Sequence, residues 1–250
     1  MDTPPWIRVE DRRGWHRVTL ERPDTRNALE PDLMDAVTTA LHRAERTPGC
    51  GAFVLSATGP DFCSGMRITA ATSPPDLTAR IPRYAELLTR LTHSPLATVA
   101  VVEGAATGGG VGLATACDYV IAGPHASFRL TEALLGLVPA LITPVLARRT
   151  GEHRAFLLAL TSRRLDAADA AAAAVADDAA DQPEEALRAF LVSLRRAGPG
   201  AVAALKRFHR ELHPLQLDPD GTAASTLRER LEDPRVHSHL AALREGGLIP

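Results

Sequence analysis

Hydrophobic and polar positions alternate at the start of the chain. Trp6-Ile7-Arg8-Val9-Glu10, a turn at Arg13-Gly14 and the run from Trp15 to Leu20 show the period-two pattern of a β-hairpin, which Pro23 ends. Leu29, Leu33, Val37 and Leu41 then recur at helical spacing and predict a helix over Asn27 to Arg46. Two mainly apolar runs, Ala52–Ala57 and Ala97–Val102, predict buried strands, with a third strand at Tyr119–Ala122. Between them the pattern predicts a loop over Thr58–Arg67, a surface loop at Thr72–Pro75 and a helix over Leu77–Leu91 interrupted near Pro82. A glycine run opens a small-residue helix at Val111–Ala116. From Thr131 onward the pattern is almost wholly helical, and the alanine-rich stretch Asp166–Ala180 reads as a packed helix with a short strand. No repeat of fixed period is present. The order predicts an α/β chain: a β-rich part with interleaved helices, then a helical C-terminal third.

Composition narrows the class. The 250 residues are 45% hydrophobic, enough for one sizeable core, and the formal net charge of −2 gives no global basic field for nucleic acid or an anionic membrane. Three widely spaced cysteines (Cys50, Cys63, Cys117) form no CxxC pair, so neither a disulfide framework nor a zinc site is expected. Met1 to Glu10 shows no signal-peptide pattern, and no run of eighteen apolar residues occurs. A soluble cytoplasmic protein is the expectation. The nine histidines show no metal-binding spacing, and no metal is expected.

Two glycine loops, each following a buried strand, carry the candidate chemistry: Asp61-Phe62-Cys63-Ser64-Gly65-Met66 and Glu103-Gly104-Ala105-Ala106-Thr107-Gly108-Gly109-Gly110-Val111-Gly112. Glycine lets a ligand approach the main chain, and the second loop opens a helix whose first N–H groups lack partners. One N–H from each loop aimed at one point would form an oxyanion hole, worth about 3 kcal/mol per donor. Either loop alone reads equally as a tight turn. The glycine run matches neither GxxxxGK[ST] nor GxGxxG with a distant acid, which argues against nucleotide phosphates. Cys63 lacks a His–Asn arrangement to activate it, and Ser64 lacks the GxSxG frame.

In order and spacing, Phe62-Cys63-Ser64-Gly65-Met66, the stretch Val102 to Gly110, and Cys117-Asp118 resemble the signatures of the crotonase (enoyl-CoA hydratase/isomerase) superfamily. Arg22 to Leu29 resembles the family segment beside the adenosine end of the ligand. Ala126-Ser127-Phe128 through Glu132, Gly136 and Pro139 resembles the segment that supplies a catalytic carboxylate. The resemblance implies a ββα spiral over residues 1–195 and a helical oligomerisation region over 196–250, assembled as a homotrimer or dimer of trimers. It implies that the amides of Met66 and Gly109 hold the thioester oxygen and that Glu132 is the base. Arg26, Ala28, Ser64, Gly108 and Leu137 fall on substrate-binding segments. The second glutamate of the two-carboxylate hydratases falls on Gly112, which leaves one-base chemistry: proton removal at Cα, isomerisation, or elimination.

The block Ser127 to Gly151 further resembles the crotonase-like dehydratases of polyketide β-branching. That implies loss of water from a 3-hydroxy-3-methylglutaryl group on an acyl carrier protein to give the 3-methylglutaconyl thioester. The phosphopantetheine or CoA arm belongs to the substrate, and no other cofactor is implied. Arg67, Arg80 or Arg83 is then expected to bind the distal carboxylate, since arginine pairs with carboxylates in bidentate fashion. Tyr84 is a candidate acid, and Lys206 a candidate contact for the arm's phosphate. The alternatives are a Δ3,Δ2-enoyl-CoA isomerase, a general enoyl-CoA hydratase, and a non-catalytic homologue that docks carrier proteins.

Overall fold

A computed structural model of the chain describes residues 4–67, 74–198, 200–215, 217 and 221–247. β1 (Ile7–Arg12) and β2 (Trp15–Leu20) form the antiparallel hairpin, with Arg12 opposite Trp15. The next helix begins later than the hydrophobic spacing predicts. Arg26 and Asn27 are left-handed, with φ of 58° and 50°, and α1 (Pro31–Arg46) starts on a proline. Asn27 supplies the reason. Its buried side chain donates to the carbonyls of Thr58 and Asp61 and accepts from the Arg22 amide, so local bonding outcompetes helix here.

The chain then winds as a spiral. β3 (Ala52–Ala57) leads into β4 (Asp61–Cys63), and α2 (Pro74–His93) returns. β5 (Ala97–Val102), β6 (Ala105–Thr107) and α3 (Gly109–Thr115) repeat the unit, and β7 (Tyr119–Ala122) and β8 (Ser127–Arg129) begin a third turn. A short 3-10 turn at Ala133–Leu135 precedes α4 (Ile142–Thr150) and α5 (Glu152–Thr161). β9 (Leu165–Asp166), α6 (Ala167–Ala172) and β10 (Asp178–Ala179) resolve the alanine-rich stretch into the expected helix and a strand at each side. The larger sheet has the order β1-β2-β3-β5-β7-β10 and the smaller β4-β6-β8-β9. Only the β1–β2 and β8–β9 pairs are antiparallel.

β5 is buried at every position, and apolar but for Thr98, because both of its faces are covered. Ala100 and Val102 join the main core, while Ala97, Val99 and Val101 pack with Leu187 and Leu191 of α7 (Pro183–Leu194). Pro82 does not interrupt α2, contrary to the sequence expectation. Its ring lies on the exposed face, while Leu77, Ile81, Tyr84 and Leu88 are buried on the other, and that packing outweighs one lost backbone bond. Pro74 and Pro75 belong to the first turn of α2, where proline is tolerated, so the expected loop at Thr72–Pro75 does not extend through them. Residues 72 and 73 lie outside the described residues.

In the last third, α8 (Ala201–Leu212) buries none of its residues and exposes Leu205, Phe208 and Leu212. α9 (Thr222–Glu232) packs back on α2, and α10 (Pro234–Glu245) on α9 and the 3-10 turn. No helix among the described residues is long and apolar enough to cross a membrane.

Candidate active site

The two glycine loops meet backbone to backbone. A Cβ on Gly65 (φ +79°) would come within 2.8 Å of both the Gly109 nitrogen and the Thr107 carbonyl. The first loop is held from outside by two main-chain bonds, Ser64 N–H to the Arg26 carbonyl and Leu29 N–H to the Gly65 carbonyl. The second is held by the Gly108 amide, which donates to the Arg129 carbonyl at 2.8 Å. Among the described residues, the amides of Met66 and Gly109 have no backbone acceptor. Gly109 is the first residue of α3, so no acceptor exists within its helix. Both residues line one cavity.

Glu132 lines the same cavity. It caps the 3-10 turn, and its carbonyl accepts from the amides of Leu135 and Leu137 at 3.0 and 2.8 Å. Oε1 lies 2.8 Å from where a Cβ on Gly108 would stand, so glycine there is what admits the carboxylate. Oε2 is buried without a hydrogen-bond partner. Burial pushes the Glu132 carboxyl up to about 7, partly offset by the amides of Glu132 and Thr131. A carboxyl so placed is poised near neutrality, the range in which a general base is effective.

Tyr84 is fully buried in α2 and lines the same cavity. Its hydroxyl donates to the Gly109 carbonyl at 2.7 Å. A Cβ on Gly112 would stand 2.1 Å from that hydroxyl and 3.1 Å from Cγ1 of Ile142. The phenol thus fills the space that a longer residue at 112 would need. Burial, with lesser contributions from Cys63 and Glu132, holds the Tyr84 hydroxyl well above its ordinary ionisation range.

A family model described as enoyl-CoA hydratase/isomerase matches residues 10–234. The chain belongs to the enoyl-CoA hydratase/isomerase family. A Thermus thermophilus relative, also named for enoyl-CoA hydratase, is 38% identical over 160 residues, 62% of this chain and 63% of that one. The bacillaene synthase dehydratase PksH of Bacillus subtilis is 27% identical over 238 residues, 93% of this chain and 91% of the relative. The solved structure of PksH superposes with a TM-score of 0.84 at 25% identity, over 96% of this chain and 97% of that one. An enoyl-CoA hydratase from Mycobacterium avium superposes with a TM-score of 0.89 at 27% identity over 98% of both chains. The mixed α/β architecture is that of the family.

Against this family frame, the expected residues separate into two groups. Ser64, Met66, Tyr84, Gly108, Gly109, Glu132 and Leu137 all line the cavity. Arg26 and Ala28 do not. Ala28 is buried, and the Arg26 guanidinium pairs with Asp61 at 2.8 Å, so their segment braces the first loop from behind. Arg80 is paired with Glu30 at 2.9 Å and Arg83 with Asp35 at 3.5 Å, and neither lines the cavity. Arg67 is exposed directly beside Met66 and has no ion pair among the described residues.

Lys206 stands elsewhere. Its ammonium donates to the Leu96 carbonyl at 2.8 Å and to Asp118 at 2.5 Å, in a second cavity that Arg149 and Arg210 also line. It is a brace between α8 and the large sheet. Burial pushes the thiols of Cys63 and Cys117 up to about 12, which keeps both unreactive at neutral pH.

Sequence reasoning missed Leu77, Ile142, Leu227 and Leu231, which complete the apolar wall. Ile142 follows the Ala140-Leu141 departure already visible in the chain, but nothing local marks the others. Among the described residues, no lysine, arginine or histidine lines the cavity.

Proposed function

We propose that the protein is a one-carboxylate dehydratase of a 3-hydroxyacyl thioester. The observation that carries the reading is the pairing of Glu132 with Gly112: one carboxylate, with a buried oxygen that has no partner, faces the loops, and the Tyr84 hydroxyl occupies the place of a second. A hydratase of the two-carboxylate kind needs that second group for water.

In the proposed cycle, Glu132 removes the proton at Cα. The charge that develops on the thioester oxygen is held by the N–H groups of Met66 and Gly109. The enolate re-forms its carbonyl, the Cα–Cβ double bond forms and the bond from Cβ to the hydroxyl breaks. The proton taken from Cα leaves with that hydroxyl as water. Glu132 returning the proton is favoured over donation by Tyr84, whose hydroxyl is committed to the Gly109 carbonyl and is held above its ordinary range. The chain's own groups suffice for this cycle, and the phosphopantetheine or CoA arm comes with the substrate.

The finer reading is 3-hydroxy-3-methylglutaryl on an acyl carrier protein. The block Ser127–Gly151 supports it, as does the similarity to PksH. A tertiary hydroxyl is a group that an adjacent enolate can expel without a second acid in the pocket. Arg67, at the end of the first loop, is the cation available to the distal carboxylate. A homotrimer or dimer of trimers goes with the reading, and the exposed Leu205, Phe208 and Leu212 of α8 suit subunit contacts.

The test is to supply carrier-bound 3-hydroxy-3-methylglutaryl and a CoA-linked Δ3-enoyl thioester separately and follow each by mass. Loss of water from the first is the expected result. A shifted double bond in the second, with the first untouched, makes the protein an isomerase. Retained carrier binding without turnover of either makes it a docking homologue.

A further inference from the structure

The turn that carries Glu132 is tied to the last two helices of the chain. Arg230 of α9 donates from Nε at 3.0 Å and from Nη2 at 2.8 Å to one acceptor, the Gly136 carbonyl, 94 positions earlier in sequence. Its third donor, Nη1, reaches Asp233 at 2.7 Å, and Asp233 caps α10 through the Arg235 amide. Gly136, with φ of +73°, closes the 3-10 turn that Glu132 opens. The ring of His239 in α10 bonds the Leu134 carbonyl of the same turn at 2.9 Å. Leu227 and Leu231, three residues before Arg230 and one after it on α9, are cavity wall. One face of α9 therefore lines the acyl space and grips the turn.

We propose that Arg230 is a positioning residue for Glu132: by clamping the Gly136 carbonyl it fixes the 132–137 turn and so aims the carboxylate between the two loops. The inference rests on Glu132 being the base. A planar guanidinium suits the task because its fork delivers two parallel donors to one oxygen and a third to Asp233, which a single ammonium cannot reproduce. A buried base loosened by about an ångström loses its geometry with the Cα proton, and a loss of about 100-fold in turnover follows from displacements of that size. A loosened turn also admits water to the carboxylate, which moves the rising, acid-side limb of the pH profile to lower pH. The other titratable group lining the cavity, Tyr84, ionises well above that range.

The experiment compares Glu132→Gln, Arg230→Met and Arg230→Lys, each checked for its melting transition, with kcat, KM and the pH dependence of kcat/KM measured on the dehydrating substrate. The expected result is an inert Glu132→Gln. Arg230→Met should lose about 100-fold in kcat with KM within a few-fold, and its rising, acid-side limb should move to lower pH than that of the unaltered protein. Arg230→Lys should fall between the two. A folded Arg230→Met with unaltered kcat and pH limb, beside an inert Glu132→Gln, overturns the positioning role alone. Full activity in Glu132→Gln overturns the base assignment and the inference with it. If Arg230→Met does not fold, Arg230→Lys decides: an unchanged kcat and limb overturn the proposal, and a lowered kcat with a displaced limb supports it.

Discussion

The cavity around Lys206 and the cavity around Glu132 use charge in opposite ways. Around Lys206, the lysine is bonded to Asp118 and Leu96, Arg149 to Asp177 and the Cys117 carbonyl, and Arg210 to the His93 carbonyl. Around Glu132 there is one carboxylate, no cation among the described residues, and an oxygen with no partner. The first cavity is richer in charge, and the buried atom left unbonded there, Arg149 Nε, belongs to a guanidinium otherwise paired with Asp177; in the second the unbonded atom is a carboxylate oxygen facing the loops. Buried polar groups without partners cost stability and persist where chemistry uses them, whereas paired ionic clusters serve as braces. Bonding state, more than charge count, separates the two.

That contrast can be broken by substitution. Glu132→Gln removes the proposed base, and turnover should fall about 1,000-fold with the fold intact; steady-state kinetics beside a melting curve check both halves.

The same variant sharpens the contrast through stability. Glu132 ionises at about 7 in the fold against the ordinary 4.5. Between those values the folded chain holds a proton that the unfolded chain has released, so stability falls as pH rises through that window, by roughly 3 kcal/mol in all. Denaturant midpoints should show Glu132→Gln more stable than the parent at pH 8 and no such gain at pH 4. Activity runs the other way: kcat/KM should rise with pH through about 7 as the carboxylate forms.

In the braced cavity, Lys206→Met should cost about 1.5–3 kcal/mol by stranding Asp118 and the Leu96 carbonyl, and leave kcat unchanged. A loss of turnover in a folded Lys206→Met would erase the distinction between the two sites. Gly112→Ala should cost about 1–3 kcal/mol because its methyl meets the Tyr84 hydroxyl, and Tyr84→Phe in the same chain should recover part of it. The smallest effect belongs to the rim. Arg67→Ala should raise KM about 10-fold for an acidic acyl group, the loss of one charge-assisted contact, and leave an uncharged analogue unaffected.

Much of the fold was legible without coordinates. The hairpin at 7–20 and the strands at 52–57, 97–102 and 119–122 follow from alternation or near-continuous apolarity, because a strand's burial is written into its own few residues. The delayed start of α1 was not legible, since Asn27 bonds to carbonyls 31 and 34 positions away. Nor was the persistence of α2 through Pro82, where burial of one face outweighs a local rule.

The sequence by itself determined the chemistry on offer: two glycine loops after buried strands, one carboxylate at Glu132, and no side chain at Gly112. Those are matters of residue type and order. Only the tertiary structure decided that an oxygen of Glu132 is buried and unpaired, that Tyr84 fills the space at Gly112, that Arg80 and Lys206 are spent on ion pairs, and that Arg230 grips the turn that carries Glu132. Burial and pairing are set by what packs against a group, and here those neighbours come from elements dozens of residues apart, where no spacing along the chain records them.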